Sequence, residues 1–312
     1  MTSLLSFSDE VRAARAADRP VVALESTIIT HGMPFPKNRE TALLVEQTVR
    51  DHGAVPATIA VLDGRIRIGL DTNELDALAQ AECVMKLSRA DLAFALSQHR
   101  TGSTTVAATM MAAELAGIAV FATGGIGGVH RGAETSFDIS ADLNELGRTN
   151  VITVCAGAKA ILDIPKTLEV LETEGVPVVA FATDELPAFW SRQSGIKAPL
   201  RLDSAAELAR FWRTRRAIGQ NGAILVANPV PSEDEIPADE MARHIEAANR
   251  AAAEHGVSGK QVTPFLLARI LELTGGRSLA TNIALVRNNA LLAAQIAVAL
   301  SAPALKGSQS AI

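Results

Sequence analysis

An α/β fold built on a mixed, mostly parallel sheet, with helices on both faces and a helical C-terminal part, is what this chain of 312 residues predicts. Two observations carry that reading. Short β-branched apolar runs alternate with longer amphipathic stretches, the pattern of parallel strands joined by crossover helices. One pair of runs, TIAVL and RIRIGL, is separated only by Asp63-Gly64, a two-residue hairpin signal that requires an antiparallel step.

In chain order, the apolar runs predict strands over Val21–Leu24, Thr58–Leu62, Val84–Leu87, Ile118–Ala122, Val151–Cys155, Val178–Ala182 and Ile224–Ala227. Helical periodicity falls between most of them, over Asn38–Arg50, Asn73–Ala81, Ala90–Gln98, Thr105–Leu115 and Ala205–Ala217. After Pro237 the pattern is helical nearly to the end, with breaks at Gly256–Gly259 and Thr274–Ser278. The apolar stretch Ala290–Leu305 contains Gln295, Ser301 and Pro303 and reads as a buried helix, not a membrane span. No linker, low-complexity tract or repeat appears, so one domain over residues 1–312 is expected.

Composition excludes several classes of function. Hydrophobic residues make up 48% and charged residues 20%, an ordinary globular balance. A net charge of −5 without a basic block argues against nucleic acid as a partner. The first residues mix Arg12, Arg15 and Arg19 with Asp9, Glu10 and Asp18 and lack the apolar centre of a signal peptide, so the cytoplasm is the expected location. Cys83 and Cys155 both fall in apolar strand-like segments and are expected to be buried thiols.

Candidate site residues cluster just after strands: Glu25 after VVAL, Lys86 in CVMKLS, Thr123 after IAVFA, Lys159 after VITVCAGA and Asn228 after ILVA. Ligands of open α/β sheets bind at the carboxyl ends of strands, which would gather these side chains in one crevice. A lysine in this position is ordinarily a solvated loop residue. Held at an apolar strand mouth, however, an amine loses hydration and moves toward its neutral, nucleophilic form, which makes Lys159 the candidate for imine chemistry.

The segment ATGGIGGVHRGAETSFDISADL is a glycine-rich turn that does not match the dinucleotide fingerprint, because His130 stands where the third glycine belongs. Its free backbone N–H groups, with His130 and Arg131, suggest a place for one phosphate. Asp142 reads equally as a helix N-cap or a functional carboxylate. Asp138 lacks a capping role and could hold a largely hydrated divalent cation. The histidines His31, His52, His99, His244 and His255 show no metal-ligand spacing and read mostly as surface or packing residues.

Five segments, ALESTIITHGMPFPKNRETA, GAVPATIAVLDGRIRIGL, FATGGIGGVHRGAETSFDISADL, VCAGAKAILDI and SLATNIALVRNNA, together resemble the indigoidine synthase A family, the pseudouridine-5'-phosphate glycosidases. The resemblance runs approximately from Pro20 to Ala302. It implies reversible cleavage of the carbon–carbon glycosidic bond of pseudouridine 5'-phosphate to uracil and ribose 5-phosphate, by an imine on Lys159 with Glu25 as proton donor. It also implies substrate contacts from Lys86, Thr105, Val106, Thr123, His130, Ser140, Ala141, Asp142 and Asn282, a manganese or other divalent ion on Asp138, and a homotrimer. Ala160 follows Lys159 where some relatives carry serine. The alternatives are a Schiff-base lyase or aldolase on another sugar phosphate and a non-catalytic phosphosugar binder. A ribokinase-type enzyme is disfavoured because no GAGD-like motif is present.

Overall fold

The computed structural model describes residues 4–257 and 262–302. The chain opens with β1 (Leu5–Phe7), α1 (Asp9–Ala16), β2 (Val21–Leu24), a π-helical turn over Ile28–Gly32, and α2 (Lys37–Asp51). The hairpin of β3 (Val55–Leu62) and β4 (Arg65–Ile68) leads to α3 (Thr72–Gln80), β5 (Met85–Leu87), α4 (Arg89–Ser97), β6 (Gly102–Thr104) and α5 (Val106–Ala116). The middle of the chain supplies β7 (Val120–Ala122), α6 (Ala133–Ser136), α7 (Ala141–Arg148), β8 (Ile152–Cys155) and α8 (Ile164–Thr173). Then come β9 (Val178–Phe181), β10 (Leu200–Leu202), α9 (Ala205–Ala217), β11 (Ile224–Ala227), α10 (Ala238–Glu254), α11 (Val262–Leu273) and α12 (Arg277–Ser301).

The 11-stranded sheet runs β1-β4-β3-β2-β7-β8-β11-β9-β10, with β6 paired to β3 and β5 to β6. Its antiparallel pairs are β3 with β4 and β3 with β6, so the sheet is mixed and mostly parallel, as the sequence predicts. The hairpin forms at Asp63-Gly64, and both residues take the positive φ that a tight two-residue turn requires. Among the central strands, β7, β8 and β11 are buried along their whole length, which demands cover on both faces. Helix α5 packs on β2, β3 and β7, and α12 on β2, β7 and β8. Both helices turn small side chains inward, Ala107, Ala108, Ala112 and Ala113 in one and Ala290, Ala293, Ala294 and Ala297 in the other, so the helix axes sit close to the strands. Helix α12 is long and apolar enough to cross a membrane, yet it is the core helix of this sheet.

Several sequence expectations are corrected. Strands β1, β6 and β10 are too short to give a periodic signal, and each forms because a neighbouring strand offers its edge. Cys83 is exposed in a turn with positive φ, and the strand begins only at Met85. Cys155 is buried as expected, and burial pushes its thiol up to about 12, which leaves it inert. Part of the expected break at Gly256–Gly259 and the end of the Ala290–Leu305 stretch lie outside the described residues, while the second break separates α11 from α12.

Asn228 does not face a crevice. Its Nδ2 donates to Asn289 Oδ1 at 3.1 Å, and Asn289 Nδ2 donates to the Thr123 carbonyl at 2.8 Å and the Gly124 carbonyl at 3.3 Å. This buried pair ties α12 to the ends of β7 and β11. Replacing Asn289 by Ala strands the Asn228 amide and the Thr123 carbonyl, and is expected to cost about 1–3 kcal/mol in urea unfolding; an unchanged midpoint would show that the clamp is not a stabilising contact.

Candidate active site

Pairing of β2, β7 and β8 assembles the centre of the site. Leu24 is in register with Ala122, and Ala122 with Val154, so β2 and β7 end level and β8 runs one residue further, to Cys155. Glu25 and Thr123 are therefore adjacent although far apart in sequence, and Thr123 Oγ1 donates to Glu25 Oε1. Thr27 Oγ1 donates to the other oxygen, Oε2, so the carboxylate is held from two sides.

Lys159 follows β8 through a tight loop. Gly157 turns with a φ of +88°, and a Cβ there would meet the Pro187 carbonyl at 2.7 Å, so only glycine fits. The loop is stitched to the glycine-rich segment: Ile126 N donates to the Gly157 carbonyl and Lys159 N to the Ile126 carbonyl, each at 3.1 Å. The amine thus sits on a backbone fixed from two segments. Lys86, on β5, lies within electrostatic reach of Lys159, Glu25 and Asp142. Lost hydration and the Lys159 charge pull the Lys86 amine below its ordinary range, while Glu25 and Asp142 oppose the shift.

Ser140, not Asp142, caps α7, its Oγ accepting from Asp142 N at 3.3 Å. This frees the Asp142 carboxylate, which is buried and bridges two elements. Oδ1 accepts from Ala107 N at 3.0 Å and Oδ2 from Gly127 N at 2.8 Å. The first acceptor places negative charge at the start of α5, where the helix dipole favours it. Thr105 is the N-cap of that helix and Val106 its first residue, so the expected turn is a helix start.

Part of the glycine-rich segment is stitched into the fold. The N–H groups of Ile126, Gly127, Val129 and His130 are bonded to Gly157, Asp142, Thr167 and Asp138, respectively. Those of Gly124, Gly125, Gly128, Arg131 and Gly132 have no acceptor among the described residues. His130 and Asp138 form the outer end of the segment, joined by that backbone bond at 3.0 Å, with Ala141 exposed beside them. Asp138 is a lone exposed carboxylate, and no cluster of three metal-ligating side chains occurs among the described residues.

His31 belongs to the site, although its isolated position in the sequence pointed to packing. Its Nδ1 contacts Thr30 Oγ1 at 2.6 Å and Ser103 Oγ at 3.3 Å. Partial burial, and then the Lys86 charge, hold the imidazole below its ordinary value. The signal for His31 lies in the packing of the π-helical turn against β6, which sequence spacing does not carry. With Trp190, Ser278 and Asn282 it lines a cavity of about 350 Å³, and Asn282 Oδ1 is buried with no partner among the described residues.

Two outcomes follow from this geometry. A Cβ at Gly127 would collide with Ser140 Oγ and lie 2.9 Å from Asp142 Oδ2, so Gly127→Ala should destabilise by about 1–3 kcal/mol in thermal unfolding. Lys86→Met should move the His31 titration upward in NMR, and no movement would show that the Lys86 charge does not reach the ring. Because folded His31 binds its proton more weakly than the unfolded chain, its contribution is lost as pH falls below 6.5 toward the depressed folded value.

Comparison with known proteins gives the family. The family profile described as "Indigoidine synthase A like protein" matches residues 10–299. A pseudouridine-5'-phosphate glycosidase of Mesorhizobium japonicum is 68% identical over 290 residues, covering 93% of this chain and 95% of its own. A protein of the same name from Solibacter usitatus is 63% identical over 296 residues, covering 95% and 99%. The crystal structure of the prealnumycin C-glycosynthase AlnA in complex with ribulose 5-phosphate superposes with a TM-score of 0.89 at 38% identity, over 96% of this chain and 97% of that one. An indigoidine synthase A (IdgA)-like protein from Thermotoga maritima gives 0.84 at 37% identity, over 91% and 94%. The chain belongs to the indigoidine synthase A family, that of the pseudouridine-5'-phosphate glycosidases.

Proposed function

We propose that this protein reversibly cleaves the carbon–carbon glycosidic bond of pseudouridine 5'-phosphate, giving uracil and ribose 5-phosphate, through an imine on Lys159. The observation that supports it most is that Lys86, on β5, lies within electrostatic reach of Lys159 and Glu25, with Glu25 bonded to Thr123 just beyond β2 and β7. The substrate bond offers no oxygen or nitrogen leaving group, so protonation by a carboxylic acid alone, as in ordinary glycosidases, has no atom to act on. An amine resolves this. The ribose ring opens and the Lys159 amine adds at the anomeric carbon. Its lone pair then forms the iminium as the bond to the uracil carbon breaks, and water releases the sugar.

Glu25 supplies the proton to the departing uracil carbon, its carboxyl oriented by Thr123 and Thr27. Lys86 and His130 carry the charge for the phosphate. Thr105, Val106, Thr123, Ser140, Ala141 and Asp142 shape the substrate's surroundings, and Asn282 brings a free acceptor from the His31 cavity. Asp138 fits single-point attachment of a largely hydrated manganese or similar ion, which when bound adds positive charge near the phosphate. One domain, a homotrimer and a cytoplasmic setting belong to the same reading.

Incubation with pseudouridine 5'-phosphate and manganese should release uracil, and Lys159→Ala should abolish that release. Borohydride with ribose 5-phosphate should leave a mass adduct on the Lys159 peptide; full turnover by Lys159→Ala would sink the imine. Glu25→Gln should lower kcat about 10²–10⁴-fold while the adduct still forms. The 38% identity to a C-glycosynthase favours a second reading, imine chemistry on another sugar phosphate, which failure to release uracil would support.

A further inference from the structure

Behind Glu25 lies a feature that the cleavage chemistry does not use. A cavity of about 20 Å³ is lined by mostly apolar side chains and by four polar residues, Glu25, Thr41, Thr58 and Thr123. One water needs about 10–15 Å³ of such space and two or more polar partners. Thr41 is 2% exposed, and its Oγ1 has no hydrogen-bond partner among the described residues. A hydroxyl in that state carries a desolvation cost that a small polar ligand would relieve.

Thr58 connects this cavity to a second carboxylate. Its Oγ1 donates to Glu46 Oε1 at 2.6 Å, and Glu46 is 4% exposed on α2. Burial raises the Glu46 pKa, with Thr58 and Arg50 opposing, so this carboxyl holds a proton more readily than a surface glutamate. On its far side Glu46 accepts from Arg50 at 3.2 Å and lines an open cavity of about 490 Å³. The charged groups facing it there are Asp9, Glu10, Arg12, Arg50, Arg67 and Asp71. The inner cavity adjoins the catalytic carboxylate and the outer one adjoins solvent, with Thr58–Glu46 between them.

We infer that the inner cavity binds one water, and that this water, Thr58 and Glu46 form a proton path from the rear of the sheet to Glu25. The inference rests on the role of Glu25 as proton donor given above. Protonation of Glu46 on Oε1 reverses its bond to Thr58: in the transfer, Glu46 gives this proton to Thr58 Oγ1 as Thr58, its own proton now turned to the water, passes that proton on, and the water passes one to the Glu25 carboxylate. Water in the outer cavity returns a proton to Glu46, so no electron moves and no bond to carbon changes. The path reloads Glu25 while bound nucleotide fills the crevice on the other side. Glu46 acts through Thr58 and is a positioning residue, not a catalytic one.

A crystal structure of the whole protein should place one water in the inner cavity, within hydrogen-bond reach of Thr41 Oγ1; a dry cavity overturns the inference. Glu46→Gln should slow single-turnover uracil release about tenfold, a fraction of what a positioned acid supplies, and displace the pH profile, with the Lys159 adduct formed in full. Wild-type rate and pH profile in that variant overturn the path. Thr41→Val keeps the volume and should reproduce the slowing, whereas Thr41→Ser should restore the rate. If Glu46→Gln does not fold, the two Thr41 variants decide alone, a normal rate in Thr41→Val overturning the path. Absence of uracil release by the wild-type protein is a distinct result that removes the substrate reading; the water site then stands or falls on the crystallographic density.

Discussion

The centre of the site depends on the register pairing of β2, β7 and β8. The middle strand has only three residues, Val120–Ala122, yet it takes hydrogen bonds from neighbours on both sides and sets where each of them ends. Glu25, Thr123 and the loop that carries Lys159 all start from that line. Helix α12 holds the same line from below, through Asn289 and the backbone just beyond β7. A slip of one residue in this pairing would turn Glu25 to the opposite face of the sheet.

The electrostatic arrangement is built on that frame. Lys86 lies within electrostatic reach of Lys159, Glu25 and Asp142, and the two carboxylates are held differently. Glu25 is held by hydroxyl groups, which orient it without adding charge. Asp142 is held by backbone N–H groups at the start of α5 and in the glycine-rich segment, so its charge is committed to structure. The division explains why the segment needs glycine at 127: the carboxylate lies where a side chain would be.

Much of this was legible in the sequence. Glu25, Thr123 and Lys159 could be located because each ends an apolar run, and the parallel pattern dictates which end of the sheet they share. The hairpin was legible because Asp-Gly admits few other conformations. Strand β6 was not, since Gly102, Ser103 and Thr104 have no apolar period and form a strand only between β3 and β5. His31 escaped for a related reason, its neighbours Ser103 and Lys86 being brought to it by β6 and β5. Asp142 was ambiguous because a capping serine two residues earlier leaves the same local signature as a capping aspartate.

The line formed by Glu25, Thr123 and the Lys159 loop also bears on how the protein becomes competent. Glu25, the proposed proton donor, follows the second strand made and Lys159, the proposed nucleophile, the eighth, so their meeting is a contact of large sequence separation that forms late and closes a long loop. No fragment of the nascent chain short of β8 brings them together. The proposed imine chemistry would therefore be acquired only with the assembled sheet, and chains trapped before β7 docks between its neighbours would carry the Lys159 segment without Glu25.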